Sequence, residues 1–180
     1  LNDSMGIAGS LNNIGLIYDH LGNYSESIKF YHDALELNKK IRNKKWMAIN
    51  YINIGVTFSR QKLYDSAIYY NEKGYEIARE LNDKRNLAFC AANLGTNLVE
   101  KKQYKKALSN YQKIIDLNWD VKDYATLQKA NILGGMGKLK DKVNLLRDFE
   151  DNFSKSNYIN DARLELADTY TNQEQFQLAI

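Results

Sequence analysis

The chain has 180 residues with 25 basic and 22 acidic side chains, so its formal net charge is only +3, and 44% of its residues are hydrophobic. This near balance argues against a nucleic-acid partner, which favours a strongly basic face, and the lack of any long apolar run argues against a transmembrane helix. A chain of this length can bury one continuous core as a single domain.

Predicted helices follow one another in pairs, because apolar residues recur at spacings of three and four and short polar segments separate the runs. In the first pair, Ile7, Ile14 and Tyr18 mark one helix, and a turn at Gly22 leads to the second. Glycine suits this turn because it adopts a left-handed backbone at little cost. The predicted helices span 5–20 and 24–40, 45–60 and 64–81, 85–100 and 104–117, and 121–135 and 139–152. The repeat units are therefore 5–40, 45–81, 85–117, 121–152 and a truncated fifth, 158–180.

The first three units repeat at an interval of 40 residues, since Gly15, Gly55 and Gly95 occupy one position. An asparagine lies two residues before each glycine and a tyrosine nine residues after it: Asn13, Asn53, Asn93, Tyr24, Tyr64 and Tyr104. A period between 20 and 50 residues indicates stacked repeats. The seam between paired helices is predicted to contain Gly15, Tyr18, Gly55, Phe58, Gly95, Ala107 and Tyr111.

The register changes after residue 117. Asn118–Asp120 interrupts the pattern, and Ala130 occupies the glycine position only 35 residues after Gly95, with Gly137 at the turn. The next equivalent is Ala167. The fourth and fifth units are therefore predicted to be shorter versions of the same helix pair.

The first unit resembles the tetratricopeptide repeat, whose pattern combines Leu-Gly-x-x-Tyr, a Gly-x-Tyr turn, a small residue, an aromatic residue and an alanine. The matching residues are Ile14, Gly15, Tyr18, Gly22, Tyr24, Ser27, Tyr31 and Ala34. The 40-residue interval is similar to the variant in kinesin light chains and bacterial peptide-pheromone receptors. The closing proline is absent, so polar clusters such as Leu81–Lys84 are expected to set the helix ends. The resemblance implies an all-α fold, a right-handed α-solenoid of helix-turn-helix repeats forming one domain over residues 1–180.

A second, partial resemblance lies near the end of the chain. Phe153–Tyr158, followed by Ala162 and Leu166–Tyr170, is similar to repeats of bacterial cell-envelope assembly proteins, although their proline is missing. Together the two resemblances favour a bacterial source. The expected location is the cytoplasm, with the bacterial periplasm or cell envelope as the alternative.

Both ends of the chain are predicted to lie inside a repeat array. Leu1–Asp3 aligns with Leu81–Asp83, a segment between units, so the chain is expected to be a piece of a longer protein with any targeting segment upstream. The fifth unit is predicted to be truncated, without a polar capping helix in this sequence. We therefore expect Phe176, Ala179 and Ile180 to be partly exposed, and we expect that the uncapped repeat ends allow self-association.

Residues that could support catalysis or cofactor binding are scarce. His20 and His32 lack a second histidine at metal-binding spacing, and Gly134–Gly137 lacks the Gly-Lys-Ser/Thr ending of a phosphate-binding loop. Cys90, the only cysteine, is interpreted as a buried small residue. Because no nucleophile, base and orienting group can be combined, we predict that the protein is not an enzyme and binds no cofactor.

The asparagine that recurs on each first helix predicts a binding surface. In the tetratricopeptide family this stripe lines the concave surface, so the resemblance implies a groove for an extended peptide or a partner segment. An amide both donates and accepts hydrogen bonds, and it can pair with a peptide main chain of any sequence. The predicted peptide-binding residues are Asn13, Leu16, His20, Asn53, Val56, Arg60, Phe89, Asn93, Thr96, Tyr124, Gln128 and Asn131.

Two functions remain open at this point. The first is a scaffold that binds a protein or peptide ligand, without nucleic acid or a transmembrane segment. The second is an architectural array that positions other domains of a larger regulatory or cell-envelope assembly protein. The asparagines also have a structural interpretation, in which each one hydrogen-bonds the neighbouring helix.

Overall fold

The structure, a computed structural model, describes residues 2–118 and 120–172, and within these ranges it contains nine helices and no strand. The helices are α1 Asn2–His20, α2 Tyr24–Lys40, α3 Lys44–Arg60, α4 Tyr64–Glu80, α5 Lys84–Glu100, α6 Tyr104–Asp116, α7 Lys122–Gly135, α8 Leu139–Asn152 and α9 Ile159–Asn172. The predicted all-α fold class is confirmed. Every predicted helix boundary lies within three residues of the observed one.

The chain divides into two compact units, Leu1–Gln103 and Tyr104–Ile180. In the first unit, each helix packs on the next in sequence from α1 to α5, and α3 also contacts α1 and α5. In the second unit, the same order holds from α6 to α9. The prediction of a single domain over residues 1–180 stays a prediction. The expected exposure of Phe176, Ala179 and Ile180 falls outside the described residues.

A residue in the left-handed backbone region follows each helix of the first unit. These residues recur at 20-residue intervals, and they are Gly22, Arg42, Lys62, Asn82 and Lys102. After α3, the Leu63 amide donates to the Phe58 carbonyl at 3.0 Å and the Lys62 amide donates to the Ser59 carbonyl at 2.9 Å. This pair of bonds is the Schellman arrangement, which satisfies carbonyls at a helix end. The link within a helix pair therefore has the same backbone geometry as the link between pairs.

Polar side chains cap the starts of α3 and α5. The Asn43 side chain accepts a hydrogen bond from the Trp46 amide, and the Asp83 side chain accepts one from the Asn86 amide at 3.1 Å. Such caps satisfy amides that have no partner inside the helix. The prediction that polar clusters such as Leu81–Lys84 mark helix ends is confirmed.

Small residues let paired helices approach closely. A Cβ atom added at Gly15 would lie 2.8 Å from the Tyr31 ring, and one at Gly55 would lie 2.4 Å from Nδ2 of Asn71. Among the predicted seam residues, the glycines, Ala107 and Tyr111 are buried, whereas Tyr18 and Phe58 are half-buried. The cores contain Tyr31, Leu35 and Ile54 in the first unit, and Leu127, Ala130, Leu146, Phe149 and Ala162 in the second.

Candidate peptide-binding surface

In the first unit, the predicted stripe lies on α1, α3 and α5, each of which is the first helix of its pair. Asn13, Leu16 and His20 are exposed on α1, and 42% of the Leu16 surface is open to solvent. On α3, Asn53 and Val56 are half-buried and Arg60 is exposed. On α5, Asn93 is half-buried, while Phe89 and Thr96 are exposed. The stripe residues thus lie on three helices, of which the middle one, α3, contacts the other two.

The three asparagines of the stripe differ in their hydrogen bonds. Asn53 donates from Nδ2 to Oδ1 of Asn12 at 2.9 Å, and Asn93 donates from Nδ2 to Oδ1 of Asn71 at 3.3 Å. Asn13 has no side-chain hydrogen bond to any residue within the described ranges. Asn53 and Asn93 therefore each link two helices, as in the structural interpretation. Both bonds use the side-chain nitrogen, and neither uses the side-chain oxygen.

A hydrogen-bonded network of buried carboxamides holds the Asn53 side chain in place. Asn12 accepts from Nδ2 of both Asn50, at 3.0 Å, and Asn53, while Asn50 accepts from Nδ2 of Asn38 at 2.9 Å. Buried amides are stable only when hydrogen-bonded. The sequence reasoning missed this network because Asn12, Asn38 and Asn50 have no asparagine 40 residues away. The 40-residue interval therefore gives no signal for these three residues.

Arg60 is held by a buried carboxylate. Its Nη1 lies 2.6 Å from Oδ2 of Asp19, and Thr57 donates from Oγ1 to Oδ1 of the same carboxylate at 3.0 Å. Asp19 is only 4% exposed, whereas the Arg60 side chain is 42% exposed. The pairing neutralises much of the charge and orients the guanidinium, which has five donor hydrogens. The role of Arg60 in peptide binding stays a prediction, and its partner Asp19 could not be identified from the sequence.

In the second unit, Tyr124, Gln128 and Asn131 are all half-buried. The Tyr124 ring lies 6.3 Å from the Tyr111 ring and 5.7 Å from the Tyr158 ring, measured between centroids. The Asn131 side-chain oxygen is buried without a hydrogen-bond partner among the residues described. Tyr124 therefore contributes to aromatic packing of this unit, and its role in binding stays a prediction.

Two titratable residues outside the stripe are buried or half-buried, namely Cys90 and His32. Burial raises the pKa of the Cys90 thiol to about 12, with a further contribution from the Asp83 carboxylate. The interpretation of Cys90 as a buried residue is confirmed. His32 lies 3.2 Å from the Tyr70 hydroxyl through Nε2, and burial, followed by the charge of Lys39, lowers the pKa of this imidazole.

No group of three or more His, Cys, Asp or Glu side chains within the described ranges is arranged to hold a metal ion. None of the helices in the part of the chain that the structure describes combines the length and apolar character needed to cross a bilayer.

Comparison with known proteins identifies the repeat type in sequence. Residues 6–80 match the sequence model of the tetratricopeptide repeat family. A search of the curated proteins finds no significant match to the chain.

Solved structures show the fold over nearly the whole chain. The apo form of RapI is 14% identical with a TM-score of 0.79, and the match covers 98% of this chain and 61% of RapI. TPR-like repeats of a candidate kinesin light chain from Podosopora anserina are 13% identical with a TM-score of 0.77. This match covers 94% of this chain and 88% of the kinesin light chain structure. YrrB is 22% identical with a TM-score of 0.65, and the match covers 94% of this chain and 79% of YrrB. The chain thus spans less than two thirds of RapI. The predicted resemblance is confirmed: residues 6–80 match tetratricopeptide repeats, and the chain has the fold of tetratricopeptide-repeat solenoids.

Proposed function

We propose that this protein is a non-enzymatic scaffold for protein–protein interaction, and that it binds an extended peptide or partner segment across α1, α3 and α5. The stripe that recurs at one register on these helices, with exposed members on each of them, supports the proposal most. Leu16 and Phe89 leave 42% and 48% of their surfaces open on the stripe, beside the carboxamides. YrrB, a TPR protein with an unusual peptide-binding site, provides an example of this function in the same fold.

The hydrogen bonds of the asparagines suggest how a peptide main chain would pair with the stripe. The amide nitrogens of Asn53 and Asn93 already donate to Asn12 and Asn71, so their oxygens are the groups suited to accept from peptide N–H groups. Asn13 can both donate and accept. Because the buried carboxamide network fixes Asn53 before binding, less side-chain freedom is lost when the peptide binds.

Apolar side chains on the stripe would add side-chain selectivity. Leu16, Val56 and Phe89 offer contact area to alternate residues of an extended ligand, whose side chains point to opposite sides. In the second unit, Tyr124, Gln128 and Asn131 remain predicted contact residues. The alternative function, an array that positions other domains, requires no ligand on this stripe, so one experiment separates the two.

Selection of random peptides displayed on phage against the full chain would test the proposal. Affinities of the selected peptides are then measured for the wild type and for the double variant Leu16→Ala, Phe89→Ala. We expect binding to weaken by about tenfold or more, since exposed apolar anchors dominate such interfaces. Asn13→Ala should also weaken binding while the melting temperature stays unchanged.

The matched control is Leu164→Ala, because Leu164 is 63% exposed on α9 and lies outside the stripe. It should leave the affinity unchanged. The proposal is wrong if no peptide is selected, or if selected peptides bind the double variant as tightly as the wild type.

A further inference from the structure

A cavity of about 550 Å³ lies between α6, α7 and α8 in the second unit. Its apolar lining consists of Leu108 of α6, Leu133 of α7 and Leu145 of α8, which are all half-buried. Asp141 and Asp148 line its α8 side and are exposed. A volume of this size is in the range of pockets that bind small ligands and side chains. None of the lining residues belongs to the predicted stripe, so the cavity is a separate surface.

The repeat register identifies the residues that take these places in the first unit. Ala130 occupies the place of Gly55, so residues of α7 and α8 correspond to residues of α3 and α4 that lie 75 positions earlier. The turns agree with this alignment, because Gly137 and Lys62, also 75 positions apart, both adopt the left-handed conformation. The counterparts are Phe58 for Leu133, Ser66 for Asp141, Tyr69 for Asn144, Tyr70 for Leu145, Lys73 for Asp148 and, two 40-residue intervals earlier, His32 for Gln112.

In the first unit, aromatic rings join the elements at this place. The Tyr70 ring stacks on the Phe58 ring at 5.4 Å and lies 5.2 Å from the Tyr69 ring, measured between centroids. The Tyr70 hydroxyl reaches α2, where it lies 3.2 Å from Nε2 of His32. Nζ of Lys73 lies 5.7 Å from the centroid of the Tyr69 ring. The space next to α3 therefore contains rings and an ammonium group of the chain itself.

The second unit has smaller side chains at the same positions. Leucines replace Phe58 and Tyr70, an asparagine replaces Tyr69, and a glutamine replaces His32. Three aromatic rings and an imidazole are thus absent from this place in the second unit. The replacing residues all line the cavity, and they are Gln112, Leu133, Asn144 and Leu145. The cavity therefore lies where the first unit places its own rings.

The charge of the lining also differs between the two units. Asp148 replaces Lys73, and Asp141 replaces Ser66. Neither carboxylate forms a salt bridge with another residue in the described ranges. The one basic side chain of the lining, Lys129, donates from Nζ to Oε1 of Gln112. With one lysine and two aspartates, the lining has a net charge of −1, so its α8 side favours a basic ligand.

We propose that this cavity binds a segment of a partner protein in which an aromatic residue is flanked by lysine or arginine. The aromatic ring would enter between the three leucines, and the basic side chains would pair with Asp141 and Asp148. These two carboxylates are seven residues apart on α8, or about 10 Å along the helix. Basic residues on both sides of the aromatic residue in an extended segment are about 7 Å apart at the backbone, and their long side chains cover the remainder.

The lysine in the lining is compatible with this ligand. A Lys129 ammonium group near an inserted ring would make a cation–π contact, as Lys73 does with Tyr69 in the first unit. The flanking basic residues would instead lie at the exposed α8 side of the cavity. The inference does not depend on the proposed peptide binding across α1, α3 and α5, because the two surfaces share no residue.

Methyl-resolved NMR of the full chain, titrated with the acetylated and amidated peptide Gly-Lys-Tyr-Lys-Gly, tests the proposal. We expect saturable shifts of the methyl signals of Leu108, Leu133 and Leu145. Leu164, which is 63% exposed on α9, provides a control signal that should stay unchanged. The peptides Gly-Glu-Tyr-Glu-Gly and Gly-Lys-Ala-Lys-Gly should each bind at least about tenfold more weakly, because one lacks the charge complementarity and the other lacks the ring.

Two sets of variants separate filling of the cavity from loss of its charge. Leu133→Phe with Leu145→Tyr restores the residues of the first unit, so it should fill the cavity and remove the saturable shift at Leu108. Asp141→Asn with Asp148→Asn should weaken binding of the lysine peptide by about tenfold without weakening that of the glutamate peptide. The matched control is Asp161→Asn, since Asp161 is exposed on α9 outside the cavity, and it should leave both affinities unchanged.

Three results would overturn the proposal. One is the absence of a saturable shift at the three leucines, including the case in which only Leu16 on the stripe responds. Another is equal affinity of the wild type for the lysine and glutamate peptides. The third is undiminished binding of the lysine peptide to the double aspartate variant, and this result decides the matter even if the filled variant does not fold.

Discussion

Gly15 and Gly55 occupy the same position of their repeats but face different side chains. Gly15 lies against the Tyr31 ring, whereas Gly55 lies against the Asn71 carboxamide. Asn71 replaces the aromatic residue of the family pattern, and it donates to the Ala67 carbonyl at 2.8 Å while accepting from Asn93. The absence of a side chain at Gly55 is therefore what makes room for a buried, doubly hydrogen-bonded amide.

Gly55→Ala should lower the free energy of unfolding by about 1 to 3 kcal/mol, because the added methyl group overpacks the seam. Its Cβ would lie 2.4 Å from Nδ2 and 2.9 Å from Cγ of Asn71, so both hydrogen bonds of that amide would be disturbed. Urea denaturation provides the measurement. The control Gly9→Ala, with no atom within 4 Å of its Cβ, should raise stability by up to about 1 kcal/mol through helix propensity. Equal effects of the two substitutions would contradict this account.

The helices of the first unit depend on links that hold one residue in the left-handed backbone region. Gly22 adopts this conformation after α1 with φ at 75°, and Lys62 adopts it after α3 with φ at 60°. A residue with a Cβ atom pays a steric cost there that glycine avoids. The repeated link is therefore sterically strained wherever lysine or arginine occupies it.

Lys62→Gly should raise the free energy of unfolding by about 0.5 to 1 kcal/mol, because relief of the left-handed strain exceeds the extra entropy of glycine in the unfolded chain. Lys62 is exposed, so little packing is lost. The reciprocal control is Gly22→Ala, which should lower stability by about 1 kcal/mol. Thermal and urea unfolding of both variants give the comparison, and a destabilised Lys62→Gly protein would show that its side chain contributes more than the strain costs.

The sequence predicted helix positions well because the same turn and the same apolar spacing recur at each step. Gly22 and the 40-residue interval were enough to place α1 to α6 within a few residues. Contacts made by residues that do not recur could not be obtained in this way. Asp19, which holds Arg60, is one example, and Asn71 at an aromatic position is another. Each depends on which side chains of two neighbouring helices meet, and periodicity alone contains no information about that pairing.

Each repeat is stabilised mainly by its neighbours, so its position in a compact unit sets its local stability. Within the first unit, α3 and α4 are covered on one side by α1 and α2 and on the other by α5. On α1, by contrast, the side chains of Ile7, Ile14 and Ile17 are exposed. Local stability should therefore fall from the central pair towards α1.

Amide hydrogen exchange should reveal this gradient in the first unit. We expect amides of α3 and α4, residues 44–80, to exchange at least about tenfold more slowly than those of α1, because α1 can open without breaking contacts on a second side. The measurement is residue-resolved exchange by NMR under conditions where exchange follows the opening equilibrium. Gly55→Ala provides an internal check, since it should accelerate exchange in α3 and α4 more than in α1. Slower exchange in α1 than in the central pair would show that nearest-neighbour contacts do not determine stability in this unit.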